Sequence, residues 1–230
     1  MSFNEKVHAF IPAKFYVYLS EAFRERGVRT FIHATQYYAG QRGRRMAQKA
    51  LRDGKELTYE TYVEYGEWVN TPEVIESNQA NQVTVKETSP DYVMHITRCP
   101  WQIQFKEMGL TEAGREYCAH LDSALCRGFN PYLIFNVEQT LHDSDCCVQR
   151  ILNVNLPAEL KIAKKKEYLQ SFEYHCAHSY WAYSEVTASV WGAKGEAINA
   201  KVLEDFSAEY GQEMADALAS YRYVNFNVIP

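Results

Sequence analysis

An α+β fold is predicted for this chain by three observations. Apolar residues recur at three-to-four spacing from Val7 to Arg52 and again beyond Pro157. Between these helical ends, alternation of period two is confined to two stretches, and each folds about a turn-forming segment. The expected architecture is a small antiparallel sheet of two hairpins covered by helices from the N- and C-terminal segments. Residues 1–230 read as a single domain, with a helical segment 1–75, a hairpin-helix-hairpin core 76–156 and C-terminal helices 157–230.

Phe15, Leu19 and Phe23, then Phe31, Ala34, Tyr37 and Tyr38, predict two helices broken near Gly27. Gly40 and Gly43 in "YYAGQRGRRM" mark either a kink or the close packing of another backbone, and the Arg-rich turn after them reads as exposed. A third helix fits Leu57 to Val69, with Thr58 as its cap. "QVTVKETSPDYVMHITRCP" is a hairpin around "TSPD". A short helix from Trp101 to Met108 closes at Gly109. Ala113, Tyr117, Leu121 and Leu125 repeat at four and predict a helix to Cys126, stopped by "RGFNP". "PYLIFNVEQTL" and "CCVQRILNV" form a second hairpin around "HDSD". Helices follow from Leu160 to Val190 and from Gly195 to Ala219, with Tyr180 and Trp181 read as core.

Hydrophobic residues make up 47% of the chain, enough for a substantial core, and no low-complexity segment or repeat interrupts them. The net charge of -5 argues against non-specific nucleic-acid binding, which needs a basic face. Lys164, Lys165 and Lys166 read as the solvated start of a helix. No apolar run approaches the ~20 residues that span a bilayer, and "MSFNEKVHAFIP" is not a signal peptide. A cytoplasmic location and no membrane association are therefore expected. Six unevenly spaced cysteines, absent before Cys99, do not form the dense framework of a secreted domain and are read as reduced thiols.

Motifs for nucleotide hydrolysis, dinucleotide redox chemistry, zincin proteolysis and α/β-hydrolase chemistry are all lacking. What remains are thiols, imidazoles and carboxylates between His95 and His178. Cys118 and Asp122 lie four apart on one helix face. A thiol becomes a nucleophile when a base or a positive field generates its thiolate, and His95 or His142 could be that base. Asp122 cannot lower a neighbouring thiol's pKa, so it would orient a histidine, carry a proton or bind substrate nitrogen. The bland alternative makes Cys118 a small core residue and Asp122 a surface acid. Cys99, Cys118, Cys147 and a histidine are also the ingredients of a Cys3His zinc site, although no CxxC occurs and Cys146 and Cys147 must point to opposite faces of a strand. His175 and His178 read as a partly buried pair.

The segments "CPW", "GLTEAGREYCAHLDSALCRGFNP", "HDSDCCVQRIL" and "YWAYSEVTASVWGAKGEAINAKVLEDFSAEYG" resemble the L-2-amino-thiazoline-4-carboxylic acid hydrolase family. The resemblance spans Tyr92 to Met214 and is firmest at Tyr117, Cys118 and Asp122, at "GFNP", and at Asp145 and Cys147. It implies hydrolytic opening of a small cyclic amidine at a C–N bond to give a carbamoyl amino acid. Cys118, Asp122, His95 and His142 are then the expected catalytic residues, with a depressed pKa at Cys118, and Asp145, Cys99 and Cys147 line the substrate site. The expected partner is a small-molecule substrate, with no cofactor and no metal, and a homo-oligomer is left open. The D-x-C element is also similar to small-molecule-binding domains of the 4-vinyl reductase type, which would break no bond.

Overall fold

The computed structural model describes residues 2–159 and 161–229. Helices α1 (Glu5–Phe23) and α2 (Glu25–Arg52) are followed by the short helices α3 (Tyr59–Glu64) and α4 (Pro72–Glu76). The hairpin β1 (Gln82–Glu87) and β2 (Tyr92–Arg98) leads into α5 (Pro100–Glu107) and α6 (Thr111–Phe129). A second hairpin, β3 (Phe135–Gln139) and β4 (Cys147–Ile151), precedes α7 (Phe172–Trp191), α8 (Ala193–Tyr210) and α9 (Gln212–Ser220). The α+β class is therefore correct.

The two hairpins join into one antiparallel sheet of order β1-β2-β4-β3. The seam is β2 against β4, where Ile96 stands opposite Cys147 and His95 opposite Val148. Strand alternation sends Ile96, Cys147 and Gln149 to the face that α6 covers. On the other side α6 lies against α2 so closely that at Gly43 and Gly128 backbone meets backbone. A Cβ on Gly43 would sit 2.1 Å from the Leu125 carbonyl oxygen, and one on Gly128 would sit 2.5 Å from that of Gly40. Of the two readings of these glycines, close backbone packing is the one observed. A core of α1, α2, α5, α7 and α8 side chains, including Phe15, Phe31, Tyr183 and Phe206, buries both ends of the chain together.

Several elements differ from expectation for identifiable reasons. The break between α1 and α2 falls at Arg24, with φ 53°, because Gly27 lies where α2 doubles back over α1 and a Cβ there would sit 1.8 Å from the Leu19 carbonyl oxygen. Thr58 does cap α3, accepting from the Thr61 amide, but the helix ends at Glu64 because the Lys165 amide takes the Glu64 carbonyl at 2.9 Å. Residues 161–165 are not helical, and Leu160 lies outside the described residues. Lys164 is not solvated: its Nζ rests 4.7 Å from the Trp68 ring centroid and donates to the Trp68 carbonyl. Helix α7 starts instead at its Ser171 cap. Gly211, at φ 95°, divides α8 from α9. The Arg-rich stretch is only partly exposed: Arg44 is exposed, whereas Arg42 and Arg45, with Lys49 one turn on, are buried.

Candidate active site

Helix α6 presents Tyr117, Cys118, Leu121, Asp122 and Leu125 to a cavity of about 190 Å³. This is below the roughly 300–1,000 Å³ typical of drug-sized ligands. The sheet supplies Ile96, Cys147 and Gln149, and α5 supplies Trp101 and Gln102, with Cys99 at the N-cap position before it. Arg42 enters from α2, while Trp68 and Asn81 enter from either side of α4.

His142 is brought in by the turn between β3 and β4. Asp143 accepts from the Thr140 hydroxyl at 3.0 Å, and that hydroxyl accepts from the His142 amide at 3.2 Å. The ring then seats on Gly114, where a Cβ would meet its Cε1 at 2.2 Å, and packs edge-on against Phe105. In this position Nε2 lies 3.6 Å from Cys118 Sγ, and Nδ1 has no hydrogen-bond partner among the described residues. Burial lowers the imidazole pKa to about 4, so at neutral pH the ring is uncharged and, as a weakened base, can take the thiol proton only in concert with bond formation.

Cys118 itself is the opposite of the depressed thiol expected. Burial, then the neighbouring Cys99, Asp122 and Cys147, push its pKa well above the ordinary thiol value. Cys99 is raised by burial too, and Cys147 is pushed up to about 12. The resting site therefore holds three neutral thiols. Asp122 accepts from Gln149 Nε2 at 2.8 Å. Burial raises its carboxyl to about 6, against the smaller opposing pulls of Arg42 and the Gln149 hydrogen bond.

Five of the seven residues singled out from the sequence line this cavity: Cys118, Asp122, His142, Cys99 and Cys147. His95 does not, because it alternates with Ile96 and faces the other side of the sheet, where its Nδ1 lies 3.8 Å from Cys146 Sγ. Asp145 is exposed in the turn, also outside the cavity. Among the described residues no group of three or more His, Cys, Asp or Glu side chains could hold a metal ion, so the Cys3His arrangement is not formed. All six cysteines are unpaired.

Behind the cavity lies a buried ionic cluster that the sequence reading missed. Glu67 receives both Nε and Nη2 of Arg45, at 3.2 and 2.8 Å, and Lys49 Nζ at 3.0 Å. Although burial works against it, Arg45 and Lys49 hold the Glu67 carboxyl down at about 2. His175 and His178 belong to this cluster and are fully buried: His178 Nε2 lies 2.7 Å from Gln41 Oε1, and His175 Nε2 lies 3.1 Å from the Glu67 carbonyl. A signal existed in the sequence, since the apolar stripe of α2 through Ala34 and Tyr38 continues at the same spacing into Arg42, Arg45 and Lys49.

The family model for L-2-amino-thiazoline-4-carboxylic acid hydrolase matches residues 4–151. The chain belongs to that family. The matched range includes α1 to α4, well before the Tyr92 at which the motif resemblance begins, and it contains every cavity-lining residue named above. No curated protein and no solved structure matches the chain. Among the described residues no helix is long and apolar enough to cross a membrane.

Proposed function

We propose that this family member is a hydrolase that opens a small cyclic amidine, with Cys118 as nucleophile, His142 as its base and Asp122 holding the amidinium. The observation that carries this reading is the Cys118–His142 contact, a thiol 3.6 Å from a neutral imidazole in a small cavity that also contains a carboxylate. A thiol kept protonated at rest is activated only when the base takes its proton during attack.

For a 2-amino-thiazoline ring, the Cys118 Sγ–C2 bond forms as the thiol proton passes to His142 Nε2. The ring C2–S bond then breaks, and the departing sulfur takes that proton, leaving an isothiourea on Cys118. Water, deprotonated by His142, adds to the same carbon, and Cys118 leaves as the thiol. The product is an N-carbamoyl amino acid with a free thiol. Both amidine nitrogens are retained in such a product. For this substrate the ring bond that breaks is therefore C–S, not the C–N bond expected from the sequence.

Ring opening releases a thiol, so turnover of 2-amino-2-thiazoline-4-carboxylate can be followed with a thiol reagent. Wild-type protein should produce one thiol per substrate consumed. Cys118→Ser and His142→Ala should fold and lose ~10²-fold or more in kcat/KM. Full activity in Cys118→Ser, with His142→Ala inactive, would remove the nucleophile role and leave direct attack by water. Binding without turnover by the wild type would favour the small-molecule-binding alternative.

A further inference from the structure

Three cations of α2 surround a single carboxylate, and they are not equally satisfied. Arg45 and Lys49 occupy both oxygens of Glu67. Arg42 reaches Glu67 only at 3.8 Å and makes no hydrogen bond to it. Among the described residues its Nε has no partner, and Nη1 makes one long contact, 3.5 Å to the Tyr38 hydroxyl. Arg42 is nevertheless buried, and it lines the cavity. A buried guanidinium with most of its five donors unused is costly as a purely structural device. Facing a small cavity, the same group is a site for a planar anion, which it can bind through two parallel N–H donors.

Two further features fit an anion there. The Tyr117 hydroxyl is buried without a partner among the described residues, and it lies within electrostatic reach of Arg42. Asp122, on the same cavity wall as Tyr117, is not ion-paired with Arg42. The cavity thus keeps a fixed cation and a carboxylate that do not neutralise each other by direct contact.

We infer that Arg42 is the specificity-determining residue of this cavity, binding the carboxylate of a substrate whose cationic amidine end is held by Asp122, with Tyr117 as a second donor to the same carboxylate. The identity of the ring rests on the hydrolase reading, whereas the anion subsite does not. The family's name already gives its substrate a carboxylate; what is assigned is the pair of residues that holds it, and analogues without it should bind and turn over less well.

The test compares 2-amino-2-thiazoline-4-carboxylate with 2-amino-2-thiazoline, in both turnover and calorimetric binding, on wild type, Arg42→Met, Arg42→Lys and Tyr117→Phe. Wild type should favour the carboxylate by roughly 10–100-fold, the scale of a charge-assisted hydrogen bond in a closed site. Arg42→Met should lose that preference, the carboxylate compound weakening by more than 2-amino-2-thiazoline does, and Arg42→Lys should keep part of it. Tyr117→Phe is the safeguard against misfolding: it removes only an unpartnered hydroxyl, so thermal stability should be unchanged while carboxylate binding weakens. Equal turnover of both compounds by wild type, unaltered in Arg42→Met and Tyr117→Phe, would overturn the subsite and leave the hydrolase reading standing. Arg42-dependent binding of the carboxylate without any turnover would uphold the subsite and remove the hydrolase reading. Binding of neither compound would overturn both.

Discussion

Asp122 sits where function and stability pull in opposite directions. Its carboxyl titrates at about 6 in the folded protein, raised by burial, against ~3.9 in an unfolded chain. The folded state therefore holds this proton more tightly, and that contribution to stability is fully present below ~pH 4 and is lost as pH rises through about 6. At neutral pH the ionised form costs up to about 3 kcal/mol. Gripping an amidinium requires that ionised form. We therefore expect kcat/KM to rise with pH through about 6, and Asp122→Asn to abolish that limb, lower kcat/KM ~10²-fold and raise the melting temperature at pH 7 to 8. A pH profile unchanged in Asp122→Asn would exclude the carboxylate from the chemistry. The juxtaposition of Cys118 and Asp122 was legible because helical spacing alone puts residues four apart on one face. Strand alternation could have excluded His95 in the same way, since its neighbours Met94 and Ile96 carry the apolar pattern of the covered face. Trp68 and Gln149 were not legible, because they reach the cavity from elements whose mutual packing no local pattern records, and for Arg42 the stripe of α2 signals burial but not the cavity it reaches. The sign of the Cys118 shift was hidden for the same reason: it depends on Cys99 and Cys147 arriving from other elements.

At the scale of elements, the contact of α2 with α6 carries Arg42 on one side and Asp122 on the other. It depends on glycines whose missing side chains would collide with backbone, and backbone cannot rotate away. The Cβ of an alanine at position 128 would lie 2.5 Å from the Gly40 carbonyl oxygen and 2.8 Å from its Cα. Gly128→Ala should therefore force the helices apart, costing about 1–3 kcal/mol or more as overpacking does, and it should raise KM because both charged walls of the cavity shift. Urea unfolding and steady-state kinetics on the same variant check the two effects together. Unchanged stability would mean that the helices are not locked at this crossing. The glycine pattern in the sequence already offered close packing as one reading, and both hairpins, the Thr58 cap and the helix bearing Cys118 are where periodicity puts them. Periodicity failed beyond Pro157 because residues 161–170 serve the tertiary structure: Lys164 covers Trp68, and Lys165 bonds Asp53 and the Tyr65 hydroxyl at 3.2 and 2.8 Å.

Across the whole molecule, the last residues of the chain complete a cluster built by the first third. Phe226 stacks on His178, with centroids 4.5 Å apart and planes inclined by 17°, and its carbonyl accepts from Arg45 Nη1. Next to it, the Asn227 carbonyl accepts from Gln48 Nε2 at 2.8 Å, so the C-terminal segment is fastened along α2. These contacts lie outside the matched range 4–151, yet they bear on Arg45, which holds Glu67 from within that range. Truncating the buried ring in Phe226→Ala should cost about 3–5 kcal/mol through lost burial and the cavity left behind. It should also admit water to a carboxylate that now stays ionised because two cations surround it. For a chain of this length that loss corresponds to a fall of ~10 °C in the melting temperature. The effect should shrink as pH falls, because Glu67, depressed to about 2, contributes stability above its ordinary carboxylate pKa that is lost as pH drops through the folded value. A variant with looser ion pairing has less of that contribution to lose, so its stability falls less steeply than that of the wild type. Thermal unfolding of Phe226→Ala and wild type between pH 3 and 8 makes the comparison. A constant difference across that range would assign Phe226 to apolar packing alone, whereas a gap that narrows below ~pH 5 would tie the end of the chain to the electrostatics behind the cavity.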